Sequence, residues 1–235
     1  MSYFLSVPDH EQASRMTSSA APLVVGFDTE TTGLDTSRDE ALSYGFAVFR
    51  NGVFQERESS HFFVKTTVPS HPKAEEIHGI TRAALEAGAV PGDVHESEAG
   101  TARAVHTLLD LYRAGAIFIG ANPRYDVDML TATLARHSDR TLRRYRATIT
   151  KLPFHDVIQT HALQHQTRRR SLTTLCEIHG VTPGNHDALG DARASVEVYF
   201  KQQDHPTRSG YVSFASPGVR AKLRETWAVL TRSAE

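Results

Sequence analysis

The stretch Leu23-Val-Val-Gly-Phe-Asp28-Thr-Glu30-Thr-Thr-Gly33-Leu34 carries the strongest fold signal in the chain. Its first half is a short apolar run of strand composition, and it breaks at Thr31-Thr-Gly33, where glycine permits a turn. The pattern predicts a buried first strand. A strand's period of two points Asp28 and Glu30 to one face and Thr29 to the other. Paired carboxylates of this kind suit Mg²⁺ or Mn²⁺, hard cations that prefer oxygen ligands. Taken alone the pair is a weak signal, because Asp-x-Glu arises often by chance.

Outward from this strand, two strand-like segments, about Ala41 to Arg50 and Val53 to Lys65, flank Asn51-Gly52, the dipeptide best suited to a tight type I′ hairpin. Strands one to three are therefore expected to form an antiparallel meander. From Glu96 to Arg113 the apolar positions Ala99, Ala102, Val105, Leu108, Leu109 and Tyr112 recur at helical spacing, and Gly115 supplies a stop before the strand Ala116 to Gly120. Helices are predicted over Tyr125 to His137, Val157 to Gln166, Leu172 to His179 with Gly180 as C-cap, and Ala188 to Gln203. These elements make an α/β fold, a mixed sheet with helices packed on it.

The 235 residues fit one ordinary domain with modest additions. Residues 1–22 read as a polar, flexible leader and 23–203 as the folded domain. Residues 204–235 read as a connector and an amphipathic C-terminal helix from Val219 to Thr231. No stretch approaches the length of a membrane span and the start lacks a basic leader and apolar signal core, so a cytoplasmic protein with no membrane partner is expected. The single cysteine, Cys176, excludes an internal disulfide framework and sits in an apolar run that suits a buried thiol. Formal charge is -1, so the molecule as a whole is not the basic body expected of a protein that grips nucleic acid by its phosphates. Positive charge does gather locally, at Arg140, Arg143, Arg144 and Arg146 and again at Arg168, Arg169 and Arg170, either as contacts or as solvated faces.

Two further segments add acids. In Gly120-Ala-Asn122-Pro-Arg-Tyr-Asp126 a strand ends in a turn and a helix begins, and Asp126 lies where the helix dipole stabilises a carboxylate. Asp128 competes with it, but on a helix the two lie roughly 200° apart, so only one can face the first strand's carboxylates. In His186-Asp-Ala-Leu-Gly-Asp191 a late helix begins. Within a helix His186 and Asp191 would be separated by roughly 140°, so a shared site requires His186 to stand before the helix proper, as Pro183 and Gly184 allow. Histidine is suited to taking a proton from water near neutral pH. An Asp187 that only caps the helix beside an exposed His186 is the plainer alternative. His161 and His165, at i and i+4, could form a zinc pair, although Ala-Leu-Gln between them lacks the glutamate a metalloprotease needs.

The ordered set of strand-borne Asp28-x-Glu30, Asn122-x-x-x-Asp126 at a strand-to-helix turn and His186-x-x-x-x-Asp191 at a late helix resembles the DEDDh family of 3′-to-5′ exonucleases, which includes bacterial proofreading subunits, oligoribonuclease and ribonuclease T. Phe27 to Leu34 looks like that family's first motif, and Ile77-His-Gly-Ile-Thr81 like its connector. One departure is Ala121, where a histidine commonly precedes the asparagine. The resemblance implies a ribonuclease H-like fold, a mixed five-stranded sheet flanked by helices. It implies two Mg²⁺ ions, with Mn²⁺ as a substitute, held by Asp28, Glu30, Asp126 and Asp191, and His186 as general base. Thr31 and Leu34 would lie beside the terminal nucleotide, with the leucine wedged between bases, and Asn122 would also meet substrate. The implied partner is a nucleic acid 3′ end, single-stranded DNA before RNA, with a polymerase or other replication protein as a further partner. A nucleic-acid-binding module without catalysis would need a lost carboxylate or histidine, and none is lost.

Overall fold

A computed structural model describes residues 22–203. The expected leader, apart from Pro22, and the expected connector and C-terminal helix (204–235) lie outside the described residues. In chain order the strands are β1 (Leu23–Thr31), β2 (Ala41–Arg50), β3 (Val53–Phe54), β4 (Ser60–Lys65), β5 (Asp93–Glu96), β6 (Ile117–Gly120) and β7 (Phe154–Asp156). The helices are α1 (Pro72–His78), α2 (Arg82–Ala87), α3 (Ser97–Arg113), α4 (Pro123–Arg136), α5 (Arg140–Arg143), α6 (Arg146–Ile149), α7 (Val157–Gln164), α8 (Leu172–His179) and α9 (Ala188–Gln203).

One mixed sheet runs β5-β4-β2-β1-β6-β7, with β3 paired to β2. β1, β2 and β4 form the expected antiparallel meander, and β6 and β7 continue the sheet parallel to β1. The sheet has seven strands, not five, and the physical reason is length. β3 has two residues and the rim strand β5 four, too few for a period of two to show in the sequence. The segment from Val53 to Lys65 is likewise not one strand. It breaks after Phe54 into a single 3₁₀ turn, Glu56–Glu58, and resumes at Ser60. At the hairpin, Asn51 and Gly52 both take the positive φ that a type I′ turn demands (51° and 76°).

Each face of the sheet buries its own apolar cluster. On one face Val25, Phe27, Phe46 and Phe62 pack under Leu108 of α3 and Leu130 of α4. On the other, Val24, Phe49 and Ile119 pack under Cys176 of α8 and Val196 and Tyr199 of α9. Alternation along β1 divides its residues between the two layers: Phe27 and Thr29 belong to the α4 face, whereas Gly26, Asp28 and Glu30 belong to the α9 face. Cys176 is fully buried, and that burial pushes its thiol up to about 11, so it is core and not a nucleophile.

α9 lies unusually close to the sheet. A Cβ on Gly26 would stand 2.1 Å from the Ala192 carbonyl oxygen, and one on Gly45 of β2 would stand 2.2 Å from the Ala188 carbonyl. Only glycine admits that approach of backbone to backbone. It seats the start of α9, and Asp191 with it, directly over the end of β1.

Candidate active site

The site forms where β1 outruns its neighbour. The parallel ladder pairs Val24–Gly26 with Ile117–Ile119 and goes no further, because β6 ends at Gly120 and turns into α4. Beyond it the Thr29 N–H has no strand partner on that side, and Asp126 takes its place. Thr29 donates its backbone N–H (3.1 Å) and its hydroxyl (2.7 Å) to Asp126 Oδ1. Asp126 thus reaches the end of β1 from the α4 layer, while Asp191 reaches it from the α9 layer. Asp128 points away and pairs with Arg124 on the surface at 2.9 Å.

Carboxylate oxygens of Asp28, Glu30 and Asp191 lie within 4.8 Å of one another, the only such group of three among the described residues. Their electrostatics are those of crowded acids. Burial, then Asp126, Glu30 and Asp191, raises the Asp28 carboxyl well above its usual range. Burial followed by Asp191 and Asp126 pushes Glu30 up to about 8. Asp126 rises to about 7 through burial, against the opposing bonds from Thr29, and burial also raises Asp191. Such a set is unfavourable as bare anions and suits a divalent cation, which would neutralise it through hard oxygen ligands.

His186 stands before the helix proper, as the spacing required. Asn185 and His186 both hold left-handed backbone (φ 58°), a costly conformation for two consecutive residues that are not glycine. The loop is tied at Asp187, whose Oδ1 accepts from Gly190 N (2.7 Å) and whose carbonyl accepts from Asp191 N (2.8 Å). Asp187 therefore caps the start of the helix through one carboxylate oxygen. The His186 ring is 55% exposed and its Nδ1 faces Asp191 Oδ2 at 4.0 Å.

Several supporting residues were not singled out from the sequence. His61 of β4 puts Nδ1 3.4 Å from Asp187 Oδ2, which ties the strained loop to the sheet. His78, in the connector, accepts from Ile80 N at Nδ1 (3.0 Å) and sets Nε2 3.3 Å from the Thr31 carbonyl, which fits a neutral ring. The Tyr125 hydroxyl donates to the Gly33 carbonyl (2.7 Å) and lies 2.9 Å from the Thr31 hydroxyl, bracing the turn after β1. Glu30, Ser43, His61, His78, His186 and Asp187 line one cleft beside the acids. Nothing in single-residue spacing marks His61 or Tyr125; their partners lie far away in the chain.

Leu34 is 85% exposed at the tip of that turn, whereas Thr31 is buried. Asn122 is exposed with left-handed backbone (φ 63°), and its side-chain oxygen accepts from Arg169. The His161 and His165 ring centroids lie 4.4 Å apart with the rings tilted by 36° and His179 nearby, but their nitrogens do not converge as the three carboxylates do.

A family profile, RNase_T, described as exonuclease, matches residues 25–199. The chain belongs to this exonuclease family. No curated protein matches it. Among solved structures it is similar to E. coli exonuclease I in complex with a dA16 oligonucleotide, at 17% identity and a TM-score of 0.62, covering 87% of this chain and 43% of that one. It is also similar to an exonuclease I without ligand, at 16% identity and a TM-score of 0.61, covering 87% and 45%. A zinc-bound form of the E. coli exonuclease I complex with single-stranded DNA aligns at 17% identity with a TM-score of 0.60. The exonuclease chain described here thus spans less than half the length of these proteins. The resemblance to DEDD-type 3′-to-5′ exonucleases of ribonuclease H-like fold holds at the level of family and fold. No helix among the described residues is long and apolar enough to cross a membrane.

Proposed function

We propose that this 3′-to-5′ exonuclease degrades DNA from single-stranded 3′ ends, releasing nucleoside monophosphates, in proofreading or repair. The observation that carries the reading is the convergence of Asp28, Glu30 and Asp191, with Asp126 from the opposite layer, at one strand end. Asp28, Glu30 and Asp191 would hold one Mg²⁺, and Asp126 with Asp28 a second. When bound, such ions supply charge neutralisation at a phosphate and acidify water. His186 keeps Nδ1 toward Asp191, which leaves Nε2 to take the proton of the attacking water. The exposed Leu34 and the braced Thr31 flank the place of the terminal nucleotide, and Asn122 stands at its margin. The oligonucleotides in the exonuclease I structures favour DNA over RNA for this chain as well.

The test is digestion of a 5′-labelled single-stranded DNA oligonucleotide, and of its RNA counterpart, with Mg²⁺, with EDTA, and with Asp28→Ala. A metal-dependent ladder shortening from the 3′ end of the DNA, absent in the variant, is expected. Faster digestion of the RNA would overturn the substrate, and cleavage by Asp28→Ala would overturn the site.

A further inference from the structure

The buried acids pose a problem for any strand that enters this site. A cation in the site offsets the charge at the phosphate being cut, yet the next phosphates along the strand still meet a chain whose net charge is -1. Single-strand binding ordinarily requires a positive track along the backbone. Any such track must be local and must lie beside the acids.

The segment between α7 and α8 meets that requirement. Arg169 donates one guanidinium nitrogen to Asn122 Oδ1 (3.0 Å) and to Asp156 Oδ2 (3.2 Å). Asp156 is itself fixed, because its other oxygen accepts from the backbone N–H of Asn122 (3.1 Å), Ile158 (2.9 Å) and Gln159 (3.2 Å). Arg169 is thus bound to the turn after β6, the strand next to β1, and to the last residue of β7, the strand beyond it. Neighbouring strands stand about 4.8 Å apart, and the register sets Asp156 level with Gly120 and so with Phe27, which places the end of β7 roughly 10 Å from the backbone of Asp28. That distance is about three nucleotides at the ~3.4 Å rise of a stacked strand. Arg168 and Arg170 flank the anchor, are exposed, and have no ion pair among the described residues. Two residues of chain span at most about 7 Å, which suits adjacent phosphates.

The other basic cluster differs in place. Arg140 and Arg143 follow the far end of α4, about 20 Å along that helix from Asn122.

We propose that residues 168–170 form a phosphate-binding arm that holds the strand upstream of the bond being cut, with Arg169 as anchor and Arg168 and Arg170 as contacts. The proposal rests on the nucleic-acid 3′ end as substrate and adds to it the place where the rest of the strand is gripped. The arm acts on affinity, not on chemistry. Arginine suits the task, because its planar fork stays charged and matches phosphate oxygens.

The test compares wild type, Arg168→Gln/Arg170→Gln, and the charge-matched control Arg140→Gln/Arg143→Gln, all as the full chain. Binding of a short fluorescein-labelled oligothymidylate is followed by anisotropy in EDTA over a salt series, which needs no cleavage. Hydrolysis of the dinucleotide pdTpdT with Mg²⁺ is measured in parallel. The arm variant is expected to bind the oligonucleotide roughly tenfold more weakly. Its plot of log affinity against log salt should be shallower by about 1.4, since each single-strand phosphate contact contributes about 0.7. Its kcat on the dinucleotide should be unchanged, with any loss confined to KM, and the control should match wild type within about twofold. Equal losses in arm variant and control would show that only net charge matters and overturn the proposal. So would wild-type affinity and slope in the arm variant, or a loss confined to dinucleotide turnover. If wild type cleaves neither DNA substrate, the substrate reading fails, and the binding comparison still decides the arm.

Discussion

Replacing Glu30 by glutamine should make the metal-free protein more stable while it destroys the site. Glu30 is 9% exposed, and its carboxyl rises from the ordinary 4.5 to about 8, through burial first and then Asp191 and Asp126. The folded, metal-free chain therefore prefers the protonated acid. The stability this group contributes is complete below about pH 4.5 and is lost as pH rises toward about 8. The full displacement corresponds to roughly 4–5 kcal/mol at about 1.4 kcal/mol per pK unit. Asp28, Asp126 and Asp191 relax once one neighbour is neutral, so about 2 kcal/mol is expected to be measured. For a domain of this size that is a rise in Tm of about 4–8 °C. Calorimetry in EDTA at about pH 5 and about pH 8.5 reads the effect, with a small gain for Glu30→Gln at the lower pH and the full gain at the higher. Added Mg²⁺ should reverse the order, stabilising wild type more than the variant. A variant that melts lower than wild type at about pH 8.5, or a gain independent of pH, would refute the reasoning that crowded carboxylates are held there at a cost to the fold.

Three other outcomes are expected from the geometry. Gly45→Ala would put a methyl group 2.2 Å from the Ala188 carbonyl, so α9 must shift. A stability loss of about 1–3 kcal/mol and an activity loss of at least about tenfold are expected, although residue 45 meets no substrate; wild-type cleavage would mean that α9 does not set the acids' spacing. His61→Phe removes the partner of Asp187 and should slow single-turnover cleavage about twofold to tenfold with oligonucleotide affinity unchanged, and His61→Asn should recover part of the rate. Equal losses in rate and affinity would contradict a role confined to the His186 loop. Asp128→Asn removes only a surface pair with Arg124, so stability should change by less than about 0.5 kcal/mol and activity not at all; an inactive variant would mean that Asp128, not Asp126, serves the site.

Asp28 and Glu30 could be read as one face from two letters of spacing, because alternation is a property of a single strand. The position of His186 ahead of its helix was legible for a similar reason: Pro183 and Gly184 act on their own neighbourhood. Helical angles narrowed Asp126 and Asp128 to one acid but could not choose between them, since the choice depends on which face α4 packs. The strands β3 and β5 were illegible because two and four residues carry no period, and the 3₁₀ turn at Glu56–Glu58 interrupts what reads as a continuous strand.

By itself, then, the sequence determined the order of the longer elements, the motif-bearing ends of strands and helices, and the family resemblance those motifs carry, all of which depend on local backbone geometry and short spacings. Tertiary structure alone decided that β6 stops short and leaves the Thr29 N–H for Asp126, and that Gly26 and Gly45 admit α9 onto the sheet. It also decided that Arg169 closes on Asn122 and that His61 closes on Asp187. These contacts join residues 47 or more positions apart. Their formation depends on how whole layers pack, a long-range outcome that no local pattern of side chains records.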